Sequence, residues 1–111
     1  MRTSTLTIQQ TSLEELHRHL QHQFDFHYES QGQDMMVLIL EEFYFRTNSN
    51  QLNMIILKRV GAAVEADIIA GGGGTGFFSI SLGAERRFLT KAKKYLIELA
   101  HHKGWSWKET N

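Results

Sequence analysis

Three β-rich apolar runs follow one another with only turn-length connections, and this constrains the fold more than any other feature. The first is Met35-Met36-Val37-Leu38-Ile39-Leu40-Glu41-Glu42-Phe43-Tyr44-Phe45, after which Asn48-Ser49-Asn50 reads as a turn. The second covers residues 52–60, with Met54-Ile55-Ile56-Leu57 at its centre, and the third covers residues 63–70. Gly61-Ala62 between them fits a two-residue hairpin turn with glycine first, which sets Lys58 opposite Glu65 as a favourable cross-strand pair. Parallel neighbours need a crossover of about a dozen residues or more, and none fits here, so the sheet is expected to be antiparallel.

Helices flank these runs. Ser12-Leu13-Glu14-Glu15 reads as a capping box, in which Ser12 accepts from the backbone three residues on and Glu15 reaches back. A helix is expected over residues 13 to about 24, with Leu13, Leu16, Leu20 and Phe24 as its apolar face. A second is expected over residues 84–103, ending at Gly104, with a core face of Phe88, Ala92, Tyr95, Leu96 and Leu99. Thr5-Leu6-Thr7-Ile8-Gln9 alternates and reads as a short edge strand, while residues 25–34 are polar and read as a loop. The expectation is one α+β domain over residues 1–111. Its antiparallel β-sheet has four to five strands with two helices on one face, in the order β-α-β-β-β-β-α. That order is similar to the TATA-binding-protein-like and helix-grip arrangements, a likeness of fold that carries no function.

The strands do not alternate cleanly between apolar and polar. Val37, Ile39, Phe43 and Phe45 point one way, and Leu38, Leu40 and Tyr44 the other; Ile55 and Leu57 oppose Met54 and Ile56. Two helices cover only one face of a sheet. The other face is then an apolar patch, which marks an interaction surface unless residues 25–34 or the tail with Trp105 and Trp107 fold over it.

Between the third run and the last helix lies Gly71-Gly72-Gly73-Gly74-Thr75-Gly76-Phe77-Phe78, with five of the nine glycines in the chain. Gly71, Gly73 and Gly76 satisfy G-x-G-x-x-G, which binds dinucleotides only where a strand precedes and a helix opens directly from it. Phe77-Phe78-Ser79-Ile80-Ser81, running on to Leu82, alternates and reads as a strand, so that context is missing; no Lys-Ser or Lys-Thr follows for a Walker A loop. The plain reading is a hairpin connection or bulge. Consecutive glycine N–H groups also form nests for an anion or carboxylate. Gly71, Gly72, Gly73, Gly74, Thr75, Gly76 and Phe77 are therefore the candidate ligand-binding residues.

Composition closes other routes. The 111 residues carry 12 Lys plus Arg against 12 Asp plus Glu, and this neutrality disfavours a dedicated nucleic-acid binder. There is no cysteine, so disulfides, thiol nucleophiles and Cys-rich zinc sites are excluded. No apolar run is long enough for a membrane span and Met1-Arg2-Thr3-Ser4-Thr5 leads into none, so neither signal peptide nor membrane is expected and the expected location is cytoplasmic. His17, His19, His22, His27, His101 and His102 are scattered without H-E-x-x-H, so no metal site is expected. Glu41 and Glu42 are adjacent in a strand and face opposite ways, so they form no acid/base pair; one of them needs a partner such as Arg59, Lys58 or Tyr44. The basic residues Arg86, Arg87, Lys91, Lys93 and Lys94 read as a solvated helix face. Neither Ser79 nor Ser81 has the sharp turn that a nucleophilic serine needs.

Glu41 with Tyr44-Phe45-Arg46, Asn53 with Leu57, Ile68-Ile69-Ala70-Gly71-Gly72-Gly73, Gly76-Phe77-Phe78-Ser79-Ile80, and Gly83-Ala84-Glu85 with Phe88-Leu89 together resemble a family of small bacterial proteins. That family is a domain of unknown function of similar length, with a glycine-rich segment followed by Phe-Phe before the C-terminal helix. The resemblance spans residues 41–99 and implies a compact cytoplasmic α+β domain with no assigned activity, catalytic residue or cofactor. The expected function is non-enzymatic binding or assembly as a homodimer. The alternative is binding of a small anionic or apolar ligand at the segment from Gly71 to Phe78.

Overall fold

The computed structural model describes residues 2–44, 49–71 and 78–110, with side chains at 2–41, 51–71 and 86–110. It contains β1 (Arg2–Gln9), α1 (Leu13–Gln23), β2 (Tyr28–Gln31), β3 (Met35–Tyr44), β4 (Ser49–Val60), β5 (Ala63–Gly71), α2 (Phe78–Lys103) and β6 (Trp107–Thr110). The six strands form one sheet in the order β2-β3-β4-β5-β1-β6, and every neighbouring pair is antiparallel.

The α+β class and the central order agree with expectation, but two short strands extend the sheet. β2 lies inside the stretch read as a loop, and β6 belongs to the tryptophan tail. Both pair at edges, so neither folds over the sheet. β1 is not an edge strand: β5 pairs along one side and β6 along the other. Alternation in a short run shows that one face is covered and the other open, and says nothing about a lateral neighbour.

The larger correction concerns residues 78–82. They begin α2 and form no strand, so the last helix starts about six residues earlier than expected. Five residues of alternation are too few to separate period 2 from period 3.6. Phe78 and Leu82 stand four apart, a spacing that also suits one helical face.

Both helices pack on the same side of the sheet. The core there joins Leu6 and Ile8 of β1, Met36 and Leu38 of β3, Ile55 and Leu57 of β4, and Ala66 and Ile68 of β5 to Leu13, Leu16 and Leu20 of α1. Phe88, Ala92, Leu96 and Ala100 of α2 complete it at a spacing of four. α2 packs against β5, and Ala92 and Ala100 of the helix and Ala66 and Ala70 of the strand are all buried.

The ends of the helices are set locally. The Ser12 hydroxyl accepts from the Glu15 amide at 3.1 Å, which is half of the expected capping box. The Glu15 carboxylate turns instead to the Thr11 hydroxyl, 3.4 Å away. At the end of α2, Gly104 adopts φ +76°, its amide donates to His101 O at 3.3 Å, and the Trp105 amide donates to Ala100 O at 2.8 Å. This pair of bonds is a Schellman motif, and it turns Trp105 back against the core.

Candidate interaction face and glycine junction

The side of the sheet away from the helices carries two apolar rows. Cross-strand register sets Tyr28, Ile39, Met54 and Ile69 side by side across β2, β3, β4 and β5. The adjoining row brings Val37 and Ile56 together and continues into Asp67 and Thr5. Met35 and Leu52 extend the patch along the strands, and Tyr28, Met35 and Leu52 are 57%, 47% and 44% exposed. The other apolar residues are half-buried by their neighbours within the sheet, and no described element lies over them. The two-sided stickiness read from the strands is thus real, and the uncovered set is Val37, Ile39, Met54 and Ile56.

A compact polar network borders this patch. Lys58 Nζ lies 3.0 Å from Asp67 Oδ2 and 3.1 Å from Glu65 Oε1, the second being the cross-strand pair expected from the hairpin. The Thr5 hydroxyl donates to the other Asp67 oxygen at 2.8 Å. Hydrogen bonds to Asp67 and Glu65 hold the Lys58 ammonium above the usual lysine range. A lysine held in its charged form is neither a base nor a nucleophile, so this network is chemically quiet and its charges are already paired.

On the helix side, the rows end differently. Asn53 and Gln51 are fully buried, and Gln51 Nε2 donates to Asn53 Oδ1 at 2.6 Å. Asn53 shares its cross-strand row with Ala70 and, through it, with Arg2, whose buried Nε has no hydrogen-bond partner. Sequence reading passed over this polar end of the core. The signal was present, since Gln51 and Asn53 have the same parity as Ile55 and Leu57.

Gly71 closes β5 opposite Leu52, where an added Cβ would stand 3.2 Å from the Leu52 carbonyl oxygen. Gly72, Gly73, Gly74, Thr75, Gly76 and Phe77, the remaining candidate site residues, lie outside the described residues. What is described on either side changes their reading: a strand ends at Gly71 and a helix starts at Phe78. The ground for setting aside G-x-G-x-x-G, that a strand follows it, is therefore overturned.

A protein-family model, the family of unknown function DUF6054, matches residues 6–100. The chain belongs to the DUF6054 family. No curated protein and no solved structure matches it.

The remaining candidates in this DUF6054 chain are dispersed. His17 Nε2 lies 3.0 Å from Glu29, which also takes two bonds from the Gln21 amide; His27 Nδ1 accepts from the Glu41 amide. His22, His101 and His102 are exposed. Among the described residues, no three His, Asp or Glu side chains converge to hold a metal ion. Glu41 is exposed on the open face, and neither suggested cation reaches it: Lys58 serves Glu65 and Asp67, and Arg59 lies 3.3 Å from Asp34. The Glu42 side chain lies outside the described residues. Among the described residues, no helix is long and apolar enough to cross a membrane.

Proposed function

We propose that this chain is a non-enzymatic binding and assembly domain whose open sheet face is its working surface. The observation that carries this reading is the uncovered pair of apolar rows through Ile39, Met54 and Ile69 and through Val37 and Ile56. Contiguous apolar surface of this kind is rare on a monomer unless something covers it. The Lys58 cluster beside it supports binding over catalysis, because Lys58, Glu65 and Asp67 satisfy one another on the same chain.

Methionine oxidation tests the coverage directly. Met54 lies on the open face and Met36 is buried in the core, so Met36 is an internal reference. Mild peroxide treatment of a cell extract containing the protein is expected to spare Met54 relative to the same chain unfolded in urea. Oxidation of Met54 in the extract at the unfolded-chain rate would overturn the reading.

A second reading rests on the strand, glycine and helix order at residues 71–78. Gly71, Gly73 and Gly76 stand between β5 and α2, as an anion-binding loop requires, and Arg2 and Asn53 share the row beside the end of β5. This reading assigns a small anionic ligand to the segment from Gly71 to Phe78. Native mass spectrometry of protein purified without added ligand tests it. A reproducible extra mass that disappears in Gly73→Val supports it, and a bare chain in every preparation, with no shift on adding inorganic phosphate, sinks it.

A further inference from the structure

We infer that the partner on the open face is a second copy of this chain, packed through the β2–β4 half of the sheet; this rests on the assembly reading above. The face is divided lengthwise. Its β3 and β4 positions are Val37, Ile39, Met54 and Ile56, whereas β1 contributes Thr3, Thr5 and Thr7. A partner that seeks apolar contact is therefore steered to one half, and the threonine half stays in water.

Three properties of that half suit a copy of itself. An isologous interface needs a patch that is complementary to itself, and β-branched ridges at Val37, Ile39 and Ile56 around an unbranched, adaptable Met54 meet that requirement. Second, the two central rows of that half, Ser30–Val37–Ile56 and Tyr28–Ile39–Met54, carry no charged side chain, and the exposed Glu41 lies beyond them toward the end of β3. Lys58 is matched within its own chain by Glu65 and Asp67, and the whole chain carries 12 positive and 12 negative side chains. Third, the size suits a small interface. Three strands about 4.8 Å apart and a length of about 27 Å give a flat footprint of roughly 400 Å². Side-chain relief raises that toward the ~800 Å² per partner of a standard interface. Two such sheets pack about 10 Å apart with their strands within about 30° of each other. The Lys58 network then lies at the rim and Met54 near the two-fold axis.

Because the chain has no cysteine, single engineered cysteines map this arrangement without background. The experiment pairs sedimentation over a concentration series with short bis-maleimide cross-linking of Met54→Cys and of Thr7→Cys, the latter on the threonine half. The expected result is a dimer that Met54→Cys traps efficiently and Thr7→Cys does not. Ile56→Lys, which two-fold symmetry introduces twice, is expected to weaken the dimer about 100-fold or more with unchanged circular dichroism. A monomer at every concentration overturns the inference, and so does a dimer that Thr7→Cys traps as well as Met54→Cys. If purified protein is monomeric while Met54 stays protected in extract, the second-copy partner fails and the assembly reading survives. If Met54 is unprotected in extract, both fail. Should Ile56→Lys not fold, the cross-linking pair decides alone.

Discussion

The Tyr95 hydroxyl on α2 donates a 2.9 Å hydrogen bond to the backbone carbonyl of His19 on α1. It is a direct polar tie between the two helices, and burial pushes the Tyr95 phenol above its usual range, which favours the protonated, donating form. Tyr95→Phe keeps the ring against Phe24 and removes only the bond. The expected cost is about 0.5–1.5 kcal/mol, read as a lower urea midpoint with an unchanged slope. An unchanged midpoint would show that the tie contributes nothing.

His19 itself makes stability depend on pH. Its buried Nε2 has no hydrogen-bond partner, and its ring meets Trp105 edge-on at 6.4 Å. Burial lowers its pKa from 6.5; the charges of Lys103, Arg18 and His22 lower it too, and Glu15 opposes them. The unfolded chain therefore takes up this proton first as pH falls. The His19 contribution is complete above 6.5, is lost as pH falls from there toward the depressed folded value, and is flat below it. Thermal midpoints measured from about pH 7.5 down to about pH 5 should fall less in His19→Gln than in the parent chain. Parallel curves would contradict this assignment.

Removing the Ser12 hydroxyl leaves the Glu15 amide without its acceptor at the start of α1. Ser12→Ala should cost about 0.5–2 kcal/mol, and Ser12→Asp should recover most of it. Chemical denaturation of the three proteins checks the order, and recovery by aspartate separates a cap from a packing effect.

Gly61 turns the β4–β5 hairpin at φ +62°, and nothing lies within 4 Å of an added Cβ. Gly61→Ala therefore meets only the backbone penalty of the left-handed region, about 1–2 kcal/mol. That corresponds to a fall in thermal midpoint of about 4–8 °C per kcal/mol. A smaller shift would mean that the hairpin relaxes to another turn type.

Local chemistry explains which parts of this fold can be read directly. Leu13, Leu16, Leu20 and Phe24 are buried as their spacing implies, and Lys58 meets Glu65 because a two-residue turn leaves no other register. The α1 cap was visible in Ser12. The short strands were not: β2 is Tyr-Glu-Ser-Gln, exposed throughout, and it pairs because β3 offers it an edge. That is a tertiary fact with no local signature. The open face shows the same limit. Val37 and Ile39 are as apolar as Leu38 and Leu40, so the strand shows two sticky faces and only the packing of α1 and α2 decides which one stays bare. At the glycine junction the misreading had a different cause, because Phe78-Ser79-Ile80-Ser81-Leu82 satisfies both periods over so short a span.

The placement of β1 between β5 and β6 also bears on how the chain is made. Of the six strands β1 leaves the ribosome first, and its two lateral neighbours, β5 and β6, are the last two strands to follow. Until β5 emerges, Leu6 and Ile8 have no neighbouring strand to pair with. Of the six strands, the first to be translated thus gains its second neighbour only when β6 follows, and completion of the sheet waits on that strand.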